Sequence, residues 1–199
     1  MNKCILFLFL IFFCKRYNAQ KEILVVGNYD EICFDTNLNI EFGGHLDRLF
    51  EFDIVLIFSG VTSVIQSDQI PKIVEFVSNG GSLYLGCDNW PFQAESNLIL
   101  EQLFSFHSWG NFNALTAEVS ESSELTRLKE IPPGNSVAVF PLNPYFEVDV
   151  WITDKPLIMS GIFDKGILIV DGGYSRFYCA NLNAISSHIF DDLIKYLGG

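Results

Sequence analysis

The chain has 199 residues, a length that suits one domain, and carries 12 Lys and Arg against 24 Asp and Glu, a formal net charge of −12. Nucleic-acid affinity rests on neutralising phosphates with Lys and Arg, so this balance excludes that class, and it argues equally against a peripheral role on anionic lipid.

Residues 4–14, CILFLFLIFFC, form an unbroken apolar run. A spanning helix needs about 20 residues, so the run is too short to cross a bilayer. With Lys3 ahead of it and Ala19 as the last residue before a cut, residues 1–19 read as a secretory signal. The alternative is an uncleaved N-terminal membrane anchor. Cleavage would leave nine basic residues against 24 acidic ones, a net charge of −15, and no stable membrane span. It would also leave Cys33, Cys87 and Cys179, an odd number that allows one internal disulfide at most. A secreted or periplasmic location is therefore expected.

Lys21–Gly27, KEILVVG, predicts a short buried strand. Phe42, Leu46, Leu49 and Phe50 fall at helical spacing, across a Gly43-Gly44 pair that weakens a helix. Phe52–Ser59, FDIVLIFS, is a second continuous apolar strand. Ser67-Asp68 opens a helix that tolerates Pro71 in its first turn, where amides lack partners. Ile70, Ile73, Val74 and Val77 give that helix one apolar stripe, and Asn79-Gly80-Gly81 stop it. Ser82–Cys87 is a third strand, and Ala94–Phe106 a further helix with Ile99, Leu100, Leu103 and Phe104 on one side. Residues 107–155 break the rhythm with loops and short strands at Ala114–Val119, Ser136–Pro141 and Glu147–Thr153. It returns at Gly166–Asp171, GILIVD, and closes with a helix carrying Ile185, Ile189, Leu193 and Leu197 on its buried side. Strands apolar on both faces, alternating with helices, imply a parallel sheet covered on both sides.

The stretches FDIVLIFSG…SDQIPKIVEFVSNGGSLYLGCDN and KGILIVDGGYSRFYCANLNAISSHIFDDLIKYL carry a resemblance. They look like the class I glutamine amidotransferase-like superfamily, in its non-catalytic branch of trehalose-utilisation-like and gliding-motility or intraflagellar-transport domains. The resemblance covers about residues 21–106 and 156–197. It implies a three-layer, flavodoxin-like α/β fold: a parallel sheet with helices on both faces. Residues 20–199 would form one such domain, with 107–155 as a small β-rich insertion. The amidotransferases place a nucleophilic cysteine inside Gly-x-Cys-x-Gly at the turn after the third strand. Here the residues are Gly86-Cys87-Asp88-Asn89-Trp90, off that register by one.

A catalytic cysteine needs a base or a positive field to form its thiolate. His45, His107 and His188 are available, and the resemblance points to His188. That residue falls within the last helical pattern, and the position two residues on, where the family has its acid, is Phe190, with Asp191 one later. The plain alternative is that Cys87 is a small apolar residue finishing a strand. In open parallel sheets ligands bind beyond the C-terminal strand ends, at the switch in strand order. That rule selects Asn28 and Asp30, Gly60, Asp88-Asn89-Trp90, and the loop carrying Tyr174 and Arg176. In a flavodoxin-like order the first and third of these strands are neighbours, and Asn28, Asp88 and Trp90 line one crevice. An aromatic ring among amides and carboxylates suits a polar ligand such as a carbohydrate. Asp30, Glu31 and Asp88 supply oxygens of the type Ca²⁺ takes, but without regular spacing. Neither a dinucleotide or P-loop glycine pattern nor zinc spacing is present, so no cofactor and no metal are expected. Cys33 and Cys179 each follow a strand, on one edge of the sheet, and can pair after export. Phe104, Phe106, Trp109 and Phe112 form an aromatic cluster that suits either core or interface.

The expected function is a non-catalytic, exported binding or assembly domain for a protein or carbohydrate. The alternative is a cysteine-dependent hydrolase or amidotransferase-like enzyme using Cys87 and His188. A sugar-processing enzyme, by analogy with the trehalose-utilisation-like branch, is a weaker third.

Overall fold

Apolar runs with every residue buried form the middle of the sheet. The computed structural model describes residues 20–35, 37–43, 46–181 and 183–199. The expected signal (1–19) and His45 lie outside these. Strands β1 (Glu22–Gly27), β3 (Ile54–Phe58), β4 (Ser82–Gly86) and β11 (Gly166–Asp171) lie parallel, with β2 (Asn39–Phe42) on the outer side of β1. β3 and β4 are buried at every position, as helices on both faces require.

One face holds Leu24, Val26, Val55, Ile57, Leu83, Leu85, Leu168 and Val170. Helices α1 (Ile70–Ser78) and α2 (Ala94–Phe104) cover it through Ile70, Ile73, Phe76 and Val77, and through Ile99 and Leu100. The other face holds Ile23, Val25, Ile54, Leu56 and Ile169, covered by helix α3 (Ala184–Gly198) through Ile189, Phe190, Leu193 and Leu197. Asn183 caps α3 by accepting from Ser186 N at 2.9 Å. Two stripe residues are misplaced by the sequence reading. Phe76 is buried where Val74 was expected, and Ser186 where Ile185 was; Val74 and Ile185 face solvent.

The architecture is mixed α/β. The nine-stranded sheet runs β2-β1-β3-β4-β11-β10-β9-β6-β7 and is parallel only as far as β11. β10 (Lys155–Phe163), β9 (Glu147–Ile152), β6 (Ala117–Val119) and β7 (Glu130–Ile131) continue it antiparallel. This corrects the expected parallel sheet with a separate small insertion. Much of 107–155 extends the sheet itself, while β5 (Trp109–Phe112) and β8 (Val137–Val139) form a two-stranded ribbon. The physical reason is the β9–β10–β11 meander. Two tight turns, with Thr153 at φ 60° and Asp164 at φ 51°, return the chain beside β11 and pair its edge.

The expected helix over 42–50 is also corrected. Phe42 ends β2, and Leu49–Glu51 is a single 3₁₀ turn. Leu46 and Leu49 are still buried, so the spacing reported burial without a helix. No helix among the described residues is long and apolar enough to cross a membrane.

Candidate functional site at the C-terminal strand ends

The chain runs from β1 to β2 on one side and then crosses from β2 to β3 on the other side of β1, which puts the switch in strand order between β1 and β3. The sequence reading missed β2, so it placed β1 next to β4. In the structure β3 lies between them, and the crevice expected from Asn28, Asp88 and Trp90 is moved accordingly. An open cleft of about 270 Å³ sits at the β1/β3 switch, lined by Asn28, Gly60, Val61, Thr62, Phe92 and Glu95, among others. Its floor depends on Gly27. At φ 96° a Cβ there would lie 2.1 Å from the Phe58 carbonyl oxygen, so only glycine lets β1 end this close to β3.

Glu95, at the start of α2, shapes the other wall. It is fully buried, and its two oxygens accept from Gly60 N at 2.7 Å and Val64 N at 2.9 Å. One carboxylate thus holds the loop after β3 at both ends. Beside it, Ser59 Oγ and Ser96 Oγ are 2.6 Å apart, and Ser96 N donates to Ser59 Oγ. The sequence reading missed Glu95. The signal was a carboxylate on the helix stripe, at the position just before Ser96 and four before Ile99.

The other expected ligand residues do converge on this end of the sheet, but mostly as structure. Asn28 Nδ2 donates to Tyr174 Oη at 3.2 Å, and Tyr174 Oη donates to Ser59 O at 2.7 Å. Tyr174 is fully buried, and burial drives its hydroxyl pKa up. Asp88 is buried too. It accepts from Asn89 N and Ser175 N, each at 2.8 Å, and burial raises its pKa to about 6 against the pull of those contacts. Asn89 is half-buried, Trp90 is 69% exposed, and Asp30 is exposed.

Arg176 is a structural pin. It is buried, pairs through Nη1 with Asp171 Oδ2, and donates to Pro132 O at 3.0 Å and Pro133 O at 2.9 Å. Tyr84 Oη donates to the same Asp171 oxygen at 2.8 Å. Gly172 and Gly173 make room for this: a Cβ would lie 2.1 Å from Ala138 O and 2.2 Å from Pro133 O. The segment around Pro132–Val139 therefore sits on the end of β11 and fills the strand-end space that Arg176 was expected to offer a ligand.

Cys87 is fully buried on the α1/α2 face, and its thiol pKa is pushed far up, chiefly by burial, with a Ser108 contact opposing. His188 is exposed on α3, which packs on the opposite face. The structure does not bring the two together. His107 is also exposed, with Nδ1 3.4 Å from a Glu101 carboxylate oxygen. Among the described residues, no group of three or more His, Cys, Asp or Glu is arranged to hold a metal ion, so Asp30, Glu31 and Asp88 do not form the Ca²⁺ cluster considered from sequence. Cys33 and Cys179 do form a disulfide, with their Cα atoms 5.0 Å apart. Phe104 and Phe106 pack in the core with Phe146, whereas Trp109 is partly exposed.

The chain matches no protein-family model and no curated protein sequence. Its fold is similar to that of several solved structures. One is the cytoplasmic protein STM1381 from Salmonella typhimurium LT2, with a TM-score of 0.67 and 13% identity over 88% of this chain and 99% of that one. Another is the N-terminal domain of mmIFT52, with a TM-score of 0.65 and 12% identity over 88% and 97%. A third is the cold-adapted β-galactosidase from Rahnella sp. R3, with a TM-score of 0.61 and 10% identity; the chain spans 32% of that enzyme. At such identities the likeness is one of fold alone. It includes the intraflagellar-transport type named from sequence and does not establish the amidotransferase superfamily.

Proposed function

We propose that this chain is a non-catalytic, exported binding or assembly domain of amidotransferase-like, flavodoxin-like type, using the β1/β3 end of its sheet to hold a protein partner. The β2-β1-β3-β4-β11 order of the parallel strands supports the fold assignment. One observation carries the function. Most chemistry-bearing groups at the strand ends are buried and engaged with their own loops, while large apolar side chains stand exposed there beside Asp30 and Thr62: Trp90 at 69%, Val61 at 57% and Val64 at 50%. Exposed apolar residues around a shallow, preformed rim suit a protein surface better than a reaction centre. The Cys33–Cys179 disulfide supports an oxidising compartment, where such bonds persist.

The cysteine-enzyme alternative requires an imidazole near Cys87, and the opposed faces weigh against it. A carbohydrate ligand is the competing occupant of the cleft, since its lining sets the Asn28 amide near the Phe92 ring, a pairing that also suits a sugar.

The test is a pair of surface variants, Trp90→Ala and Val61→Asp, used as affinity baits beside the native protein. The expected result is a defined partner retained by the native chain, lost by both variants, with unchanged melting temperature. Amide chemical-shift changes at Asn28, Gly60 and Glu95 on adding oligosaccharides would replace the protein partner with a sugar. Turnover that dies in Cys87→Ala would overturn the reading.

A further inference from the structure

A second, separate feature lies at the antiparallel side of the sheet. In the β9–β10 ladder Val148 pairs with Met159 and Val150 with Ile158, so nothing stands opposite Asp149. Asp149 is the extra residue of a β-bulge, which bends a strand and re-aims its side chain. The effect is visible in the packing. Val148 packs against the α1/α2 core and Val150 belongs to the α3 core, although residues two apart on a regular strand share a face.

The bulge leaves Asp149 with an incomplete set of partners. Its carbonyl accepts from Ser120 N at 2.8 Å, and its Oδ1 accepts from Ser123 Oγ at 2.6 Å. Its Oδ2 has no hydrogen-bond partner, and the residue is only 3% exposed. Burying an ionised oxygen without a partner is costly, so such an atom calls for an explanation. Asp149 lines a cleft of about 440 Å³ that also takes in Glu124, Glu147, Tyr145, Ser160 and Tyr196, and neither Lys nor Arg is among its lining residues. Ser160 Oγ and Tyr196 Oη are 3.4 Å apart, at the long end of a hydrogen bond, so both keep capacity to accept another donor. Burial raises the Asp149 carboxyl above the usual range, with the Ser123 hydrogen bond and the Ser160 hydroxyl, which lies nearby without meeting hydrogen-bond geometry to Oδ2, opposing and Glu147 adding to it.

We propose that this cleft binds a primary ammonium group, with Asp149 Oδ2 as its anionic partner and the Ser160 and Tyr196 hydroxyls as further acceptors. The argument is one of valence. An ammonium carries three donors and no acceptor, which answers one carboxylate oxygen and two hydroxyl oxygens. A guanidinium offers a flat fork that needs two oxygens side by side, and Ser123 already occupies one of the two on Asp149. A divalent ion is disfavoured, because no metal-holding group of three or more His, Cys, Asp or Glu occurs among the described residues. Glu124 and Glu147 add attraction for a cation, and the Tyr145 ring, 64% exposed, offers a face along which an alkyl stem can lie. The ligand class is a primary alkylamine, free or as a lysine side chain of a peptide.

Calorimetric titration of the full chain with 1,5-diaminopentane, N-acetyl-lysine methylamide and 1,5-pentanediol tests this. The diamine alone responding identifies a free amine; the lysine derivative responding as well identifies a peptide side chain. The diol is expected to be silent. Asp149→Asn, which keeps shape and removes charge, should weaken amine binding about tenfold or more without lowering the melting temperature. Ser160→Ala and Tyr196→Phe should weaken it several-fold, and they decide the matter if Asp149→Asn does not fold. Equal responses to diamine and diol, full affinity in the variants that fold, or no saturable heat up to about 10 mM ligand would overturn the site.

Discussion

Asp88 and Arg176 show how a single buried polar residue can hold a loop in place of a ligand. Arg176 joins Asp171 on the sheet to the Pro132 and Pro133 carbonyls, so one side chain ties the inserted segment to the end of β11. Asp88 does the same for the loop after β11 through Ser175 N, but it titrates in an accessible range. Its folded pKa, about 6, lies above the ordinary aspartate value of 3.8. The folded state therefore binds more protons than the unfolded chain between those values, and this group's contribution to stability is full below pH 4 and lost as pH rises through 6. The loss amounts to roughly 2–3 kcal/mol at about 1.4 kcal/mol per unit. Denaturant melts of Asp88→Asn and native protein across pH 4 to 7 should show this slope in the native protein and a flatter profile in the variant. Equal slopes would remove Asp88 from the account.

The elements differ in how they were written into the sequence. β1, β3, β4 and β11 are short unbroken apolar runs, and the structure places them within a residue or two of where those runs lie. β2 was invisible because an edge strand with Asn39 and Glu41 facing solvent has no apolar run to report. β10 was masked by Lys155-Pro156 at its start and Gly161 near its end, although at nine residues it is the longest strand among the described residues. The bulge at Asp149 leaves no local mark at all, because it exists only in the pairing of two strands. Long-range ties are equally silent. The Cys33–Cys179 disulfide links residues 146 positions apart, joining the loop after β1 to the turn before α3. Replacing both cysteines with serine should cost about 2–5 kcal/mol in a denaturant melt, because the unfolded chain regains the entropy of a long loop. An unchanged midpoint would mean that the backbone bonds there, such as Cys179 N to Glu31 O at 2.8 Å, suffice.

At the scale of the whole molecule, the site was partly legible. The strand-end rule named Asn28 and Gly60, which line the cleft at the β1/β3 switch. It then favoured Arg176 and Tyr174, whose polar atoms the fold had already taken for itself. Sequence cannot show whether a polar side chain looks outward or inward; that follows from which segment lands on it, here Pro132–Val139. The same limit applied to Cys87, whose surroundings come from strands and helices distant in the chain. The central claim is that this scaffold binds without covalent chemistry at that thiol. Timed alkylation with iodoacetamide, followed by peptide mapping of the Cys87 fragment, tests it most directly. The account predicts no labelling of the native protein at neutral pH and full labelling once the chain is unfolded in guanidinium. Stoichiometric labelling of Cys87 in the folded protein at pH 7 would contradict it.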